Sequence, residues 1–193
     1  MVRRVEQAHD LSVTLLVDTR PVGLSADEAS DAVEWRISAG ASIALHCVEE
    51  GFSLREFTPD GPLADGLAQP TPSRILTAYA ELPTSDETEV VPPTLTPDTR
   101  RSTGIVVAVL GDLRPAEAIA LADLAGTGTG IVLLRLPSPV PGTSAEDAAA
   151  GLRAGETSQA AGLLRTAGWS VTVVGHGTSV ADAWAHALAG GDP

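Results

Sequence analysis

The sequence predicts a doubly wound α/β domain: a mostly parallel sheet with helices on both faces. Three observations lead there. Short aliphatic, β-branched runs alternate with longer stretches of helical periodicity, and the links between them are short and rich in Gly, Pro, Asp and Ser. The chain has 193 residues, 44% hydrophobic, enough to bury a core within one domain. Strand–helix–strand alternation needs crossover connections, which lay helices over both faces of a parallel sheet.

Each element has a local cause. Leu11–Val17 is rich in aliphatic and β-branched residues with few polar breaks and ends at Asp18, the pattern of a strand buried on both faces. Ser25-Ala26-Asp27-Glu28 has capping-box spacing. Behind it Ala29, Val33, Ile37, Gly40, Ala41, Ala44 and Val48 recur every three or four residues, predicting a helix to about Glu50 that Gly51 stops. Ser38-Ala39-Gly40-Ala41-Ser42 thins its middle, which lets it lie close to a sheet. Phe52–Phe57 alternates as a second strand, and Thr58-Pro59-Asp60-Gly61 has turn chemistry. A short helix is expected over Ser73–Leu82. Pro83–Ser102 then breaks the rhythm with prolines, threonines and the acids Asp86, Glu87 and Glu89, as in a surface loop or partly disordered insert. Ile105–Leu110, Gly130–Leu136 and Trp169–Val174 read as strands; Pro115–Leu124, Ala145–Thr166 and Val180–Ala189 read as helices. Pro115 suits a first helical turn, and Ser144 and Ser179 suit N-caps. Residues 1–193 are expected to form a single domain with the Pro/Thr/acidic loop at about 83–102.

Composition excludes several functions. Twelve basic against 25 acidic side chains leave a formal charge of -13, which repels phosphate backbones and argues against nucleic-acid binding. One cysteine, Cys47, rules out an intrachain disulfide framework and a Cys-rich metal site, and the expectation for it is a buried inert thiol. Aromatics at 3% are too few for a stacking platform. No stretch reaches the roughly 20 apolar residues of a membrane span, and no apolar h-region follows Met1-Val2-Arg3-Arg4. The expectation is a soluble piece.

Binding sites in such sheets lie at the carboxyl ends of the strands. The strand ends supply Asp18-Thr19-Arg20-Pro21-Val22, Gly111-Asp112-Leu113 and Gly175-His176-Gly177-Thr178-Ser179. An aliphatic strand ending in Asp, followed by Val33-Glu34-Trp35-Arg36-Ile37-Ser38-Ala39-Gly40-Ala41-Ser42-Ile43-Ala44, resembles a von Willebrand factor A-type (vWA) domain. More narrowly it is similar to the C-terminal part of the bacterial membrane proteins called domain-of-unknown-function family 58. Val2-Arg3-Arg4-Val5-Glu6 before the strand and Gly51-Phe52-Ser53-Leu54-Arg55 after the helix contribute to the likeness. The resemblance implies a vWA-like (Rossmann-like) fold. It also implies a larger parent with two N-terminal transmembrane helices, a cytoplasmic position for this domain, and a MoxR-type AAA+ ATPase as working partner.

Domains of that type often hold a divalent cation at a metal-ion-dependent adhesion site, built from Asp-x-Ser-x-Ser, a distant Thr and a distant Asp. Asp18 matches the first ligand and Asp112 the distant Asp, with Thr71 a loose match for the threonine. Arg20 and Val22 stand where the serines would be, and neither coordinates a cation. The binding residues expected on this likeness are therefore Asp18, Arg20 and Asp112, with no metal and no cofactor. Two readings of Arg20 stay open: a built-in cation pairing with Asp18 or Asp112, or a solvated loop residue beside an Asp18 that caps backbone N–H groups.

The Gly175–Ser179 loop, between strand and helix, is the alternative. It has the geometry of an anion site but lacks the Lys of a Walker loop and the third glycine of a dinucleotide fingerprint. Gly126–Gly130 precedes a strand and reads as a turn. His176 has no nucleophile motif beside it, and His9, His46 and His186 form no metal-spaced pair. Trp35, Trp169 and Trp184 are expected in packing. The function expected from these residues is a non-catalytic protein-interaction module, the alternative being a nucleotide- or phosphate-binding α/β enzyme.

Overall fold

The aliphatic runs form the centre of a six-stranded sheet. The computed structural model describes residues 12–21, 26–63, 71–90, 92–93, 103–126, 128–136 and 144–190. In chain order the elements are β1 (Ser12–Val17), α1 (Ala26–Glu49), β2 (Ser53–Thr58), β3 (Gly61–Pro62), α2 (Pro72–Ala80), β4 (Thr103–Leu110), α3 (Pro115–Ala125), β5 (Thr129–Arg135), α4 (Ser144–Thr166), β6 (Ser170–Val174) and α5 (Val180–Leu188). The strands lie in the order β3-β2-β1-β4-β5-β6, all parallel except the two-residue β3. This is the doubly wound α/β fold expected. Chain progression reverses between β1 and β4, and that switch point is where a sheet of this class opens a crevice.

Alternate residues of the central strands serve two cores. Leu16, Val106, Ala108, Leu110, Val132 and Leu134 join Leu121 of α3 and Leu164 of α4 on one face. Val13, Leu15, Val17, Val107, Val109 and Leu133 pack with Ile43 of α1, Ile75 of α2 and Ala183 of α5 on the other. Every residue of β1 is buried, in keeping with a strand covered on both sides.

The thin middle of α1 has the consequence expected of it. A Cβ on Gly40 would meet Val17 Cγ2 at 2.6 Å and Tyr79 Cε1 at 2.8 Å, so only glycine lets α1 approach both β1 and α2. Gly51 ends the helix at φ 80°, where Phe52 N–H donates to the Cys47 carbonyl at 2.8 Å. Ser179 caps α5, its Oγ accepting from Asp182 N–H at 3.1 Å. Ser25 lies outside the described residues. Cys47 is buried, and burial raises its thiol pKa to about 11.

Two features differ from the sequence reading. The Thr58–Gly61 turn closes a small hairpin, so β3 follows β2 antiparallel where only a turn was expected. The buried face of α1 takes in Ala29, Val33, Gly40 and Ala44 as expected, but also Ala32, Arg36, Ala39, Ile43 and Cys47, with Ile37, Ala41 and Val48 only half-buried. A cation therefore occupies the core face of α1. No helix among the described residues is long and apolar enough to cross a membrane.

Trp169 supplies a test of the packing. A Cβ on Gly130 would come within 2.1 Å of the Trp169 ring. Gly130→Ala is expected to cost about 1–3 kcal/mol through overpacking, read as a lowered denaturation midpoint; an unchanged midpoint would show that the ring does not press on β5.

Candidate functional site

Asp18 and Thr19 continue directly from β1, and Gly111 and Asp112 from β4, so the switch point itself brings these side chains together. Asp18 N–H extends the ladder to the Val109 carbonyl at 2.9 Å, which places the carboxylate over the seam between the two strands. There it is completely buried.

Every lone pair of that carboxylate is occupied. Asp18 Oδ1 accepts from the Arg20 backbone N–H at 3.0 Å and from Arg20 Nε at 2.8 Å. Oδ2 accepts from Arg20 Nη2 at 2.9 Å and from Gly111 N–H at 3.0 Å. The side chains thus form a bidentate fork, the strongest form of a carboxylate–guanidinium pair. Burial alone would raise the Asp18 pKa; the hydrogen bond from Arg20 and the charges of Arg36 and Arg20 more than offset it and hold the group below the usual carboxylate value.

Arg20 is equally committed. Besides Asp18, its Nη1 donates to the Thr88 carbonyl at 3.1 Å and its Nη2 to the Asp112 carbonyl at 3.1 Å. Glu117 Oε1 lies 3.6 Å from Nη1, and Asp112 Oδ1 lies 4.0 Å from Nη2. Six oxygen atoms thus surround one guanidinium that is 5% exposed. The solvated-loop reading of Arg20 does not hold, whereas the capping of backbone N–H groups by Asp18 does.

A second arginine, missed in the sequence, holds the turn from beneath. Arg36 Nε donates to the Asp18 carbonyl at 2.6 Å and Nη2 to the Arg20 carbonyl. Its Nη1 has no hydrogen-bond partner among the described residues and stands 2.9 Å from where a Cβ of Gly111 would be, so a side chain there would displace the guanidinium. Burial lowers the Arg36 pKa, as do the charges of Arg20 and Arg135, with Asp18 and Asp112 opposing. The available signal was the position of Arg36 three residues before Ala39 and three after Val33, in the middle of the apolar stripe.

The segment 83–90 closes the site from above. Ser85 N–H donates to the Thr19 carbonyl at 3.2 Å and Ser85 Oγ to Asp60 at 3.0 Å, while Val90 N–H donates to Glu117 Oε1 at 2.7 Å. Glu117 also reaches back to Arg114 N–H at 2.6 Å, tying the start of α3 to the same point. Part of the loop expected at 83–102 is therefore an anchored strap, with Ser85 and Val90 buried; 94–102 lies outside the described residues. Between strap, β4 turn and α4 is a cleft of about 380 Å³, walled by Asp86, Glu87, Asp112, Arg114, Glu117 and Arg153 along with Arg20.

A divalent cation does not fit this arrangement, because the Asp18 oxygens are saturated and a guanidinium fills the space between the acids. Thr71 is exposed at the start of α2 and is not among the residues lining the cleft. At the Gly175–Ser179 loop, Thr178 N–H turns back to the Gly175 carbonyl at 3.4 Å, and the Asp182 carboxylate receives Ser179 Oγ at 2.7 Å. An anion at that helix start would meet a carboxylate. The loop is held by Trp35 Nε1, which donates to the Thr178 carbonyl at 2.9 Å, and by Arg135, stacked 5.6 Å from the Trp35 centroid and donating to Gly175. His176 is exposed. Fold and site together define a doubly wound α/β domain with an arginine-filled carboxyl edge. No family model, curated protein or solved structure matches the chain.

Asp18→Asn would leave Arg20 and Arg36 buried without their main counter-ion, an expected loss of about 3–5 kcal/mol at neutral pH. A depressed folded pKa means that this stabilisation is complete above the unfolded value of about 3.9 and fades as pH falls below it. The wild-type and variant denaturation midpoints should therefore converge toward acid; a gap independent of pH would show that the charge of Asp18 is not what stabilises the fold.

Proposed function

We propose that this chain is a non-catalytic docking module: a vWA-like domain of a membrane-anchored protein, whose adhesion site has exchanged its metal for Arg20. The partner that the family resemblance implies is a MoxR-type AAA+ ATPase. The observation that carries this reading is the saturated Asp18–Arg20 fork. A metal at that point would leave one coordination position open to a partner, whereas the guanidinium turns all its donors inward. What the crown then offers is a shape and a charge pattern. Asp18, Arg20 and Glu117 are each tied into structural hydrogen bonds, so none is poised to move a proton in a reaction.

Two measurements test the proposal. Millimolar Mn²⁺ should leave the melting temperature unchanged, since a ligand stabilises a fold only when it binds the folded state; clear stabilisation at lower metal would overturn the exchange. Isothermal titration against a purified MoxR-type ATPase from the same genome should show binding that Asp112→Ala combined with Glu87→Ala weakens about tenfold, at unchanged melting temperature. Equal affinity in the double variant would place docking on another surface.

A further inference from the structure

The reading of the crown as a docking face leaves open what docks, and the following rests on that reading. We propose that the cleft beside Arg20 receives a cationic side chain, an arginine or lysine projecting from a partner protein, with the Asp112 carboxylate as its counter-ion.

The floor of the cleft has nothing to offer an anion. Four of the five guanidinium N–H groups of Arg20 donate to oxygen atoms of this chain, Glu117 Oε1 stands 3.6 Å from Nη1, and the residue is 5% exposed. A partner's carboxylate would stand over Asp18 and Glu117 and would meet cationic donors only at the rim, on Arg114 and Arg153. Asp112 is in the opposite condition. Its carboxylate is about a quarter exposed and accepts no hydrogen bond among the described residues, its nearest cation being Arg20 Nη2 at 4.0 Å. Burial raises the Asp112 pKa, and the negative charges of Asp18 and Glu117 add to the effect against Arg20 and Arg153. A cation entering the cleft would oppose that rise by favouring the charged carboxylate.

The rim carries charges of both signs. Asp86 and Glu87 are exposed there, while the charge of Arg114 is taken up by Glu89 at 2.9 Å. Arg153, on an exposed turn of α4, lies close enough to oppose the rise at Asp112 without forming a salt bridge, so an incoming cation competes with it. At about 380 Å³ the cleft has room for a guanidinium or ammonium group and its methylene stem. The overall charge of -13 steers cations toward the surface.

The probes are the N-acetylated, C-amidated tripeptides Gly-Arg-Gly and Gly-Glu-Gly, titrated separately into the whole ¹⁵N-labelled chain and followed by amide shifts. Gly-Arg-Gly should move the amides of Glu87, Gly111 and Asp112 saturably, and more weakly as salt rises from about 50 to about 300 mM. Asp112→Asn should weaken it about two- to fivefold, whereas Asp123→Asn, an exposed change on α3 outside the cleft, should not. If Asp112→Asn lowers the melting temperature, Glu87→Gln on the rim replaces it as the test. Gly-Glu-Gly acting on the same amides would reverse the sign and overturn this proposal while leaving the docking face in place. Shifts from Gly-Arg-Gly that miss the crown, or that Asp112→Asn leaves unchanged, would also overturn it. The docking face itself stands or falls separately, on the ATPase titration.

Discussion

The fork between Asp18 and Arg20 is the constraint on which the carboxyl edge of this sheet depends. A carboxylate buried at the seam of β1 and β4 is costly unless its lone pairs are filled. Here one side chain two residues further on fills two of them, and backbone N–H groups fill the rest. The pair also sets the path of the chain. Because Arg20 reaches both Asp112 and Thr88 through their carbonyls, the β1 turn, the β4 turn and the 83–90 strap are fastened to one group.

Such an arrangement raises the question of why two arginines are buried where one countercharge lies deepest. Arg36 does not neutralise anything that Arg20 has not already engaged; it donates to two main-chain carbonyls of the turn that bears Asp18 and Arg20. Its value is geometric. The loop after β1 has left the ladder, so its carbonyls need donors, and a guanidinium is a rigid planar fork able to serve two at once. Gly111 completes the arrangement by withholding a Cβ from the space that Arg36 and Asp18 share.

Most of the architecture was legible in the sequence because it rests on local causes. Strand-length aliphatic runs, Gly40 in a thin helix, Gly51 at its end and the Ser179 cap each act within a few residues. The site was half legible. Asp18, Arg20 and Asp112 were identifiable from their place at strand ends, and the structure brings all three together. Ala29, Val33, Gly40 and Ala44 of the expected stripe are buried, but the buried face is wider than a single line of apolar residues and takes in Arg36 beside the half-buried Ile37. Charge on a core face looks like solvent-facing charge until the partner groups are known, and those partners are main-chain carbonyls with no sequence signature. The joining of Glu117 to the 83–90 strap, and of the strap to Arg20, was illegible for a related reason: Val90 and Glu117 are 27 residues apart, and Thr88 and Arg20 are 68. A segment without periodicity gives no hint that its backbone will be used as a ligand.

A covalently attached cation also changes how such a crown is controlled. A metal site is filled according to free ion concentration and pH, since its ligands must be deprotonated to bind. A guanidinium stays charged across the physiological range, and its attachment two residues from Asp18 keeps it at the carboxylate whatever the ionic composition outside. The charge at the switch point is therefore constant, and cation supply has no hold over it.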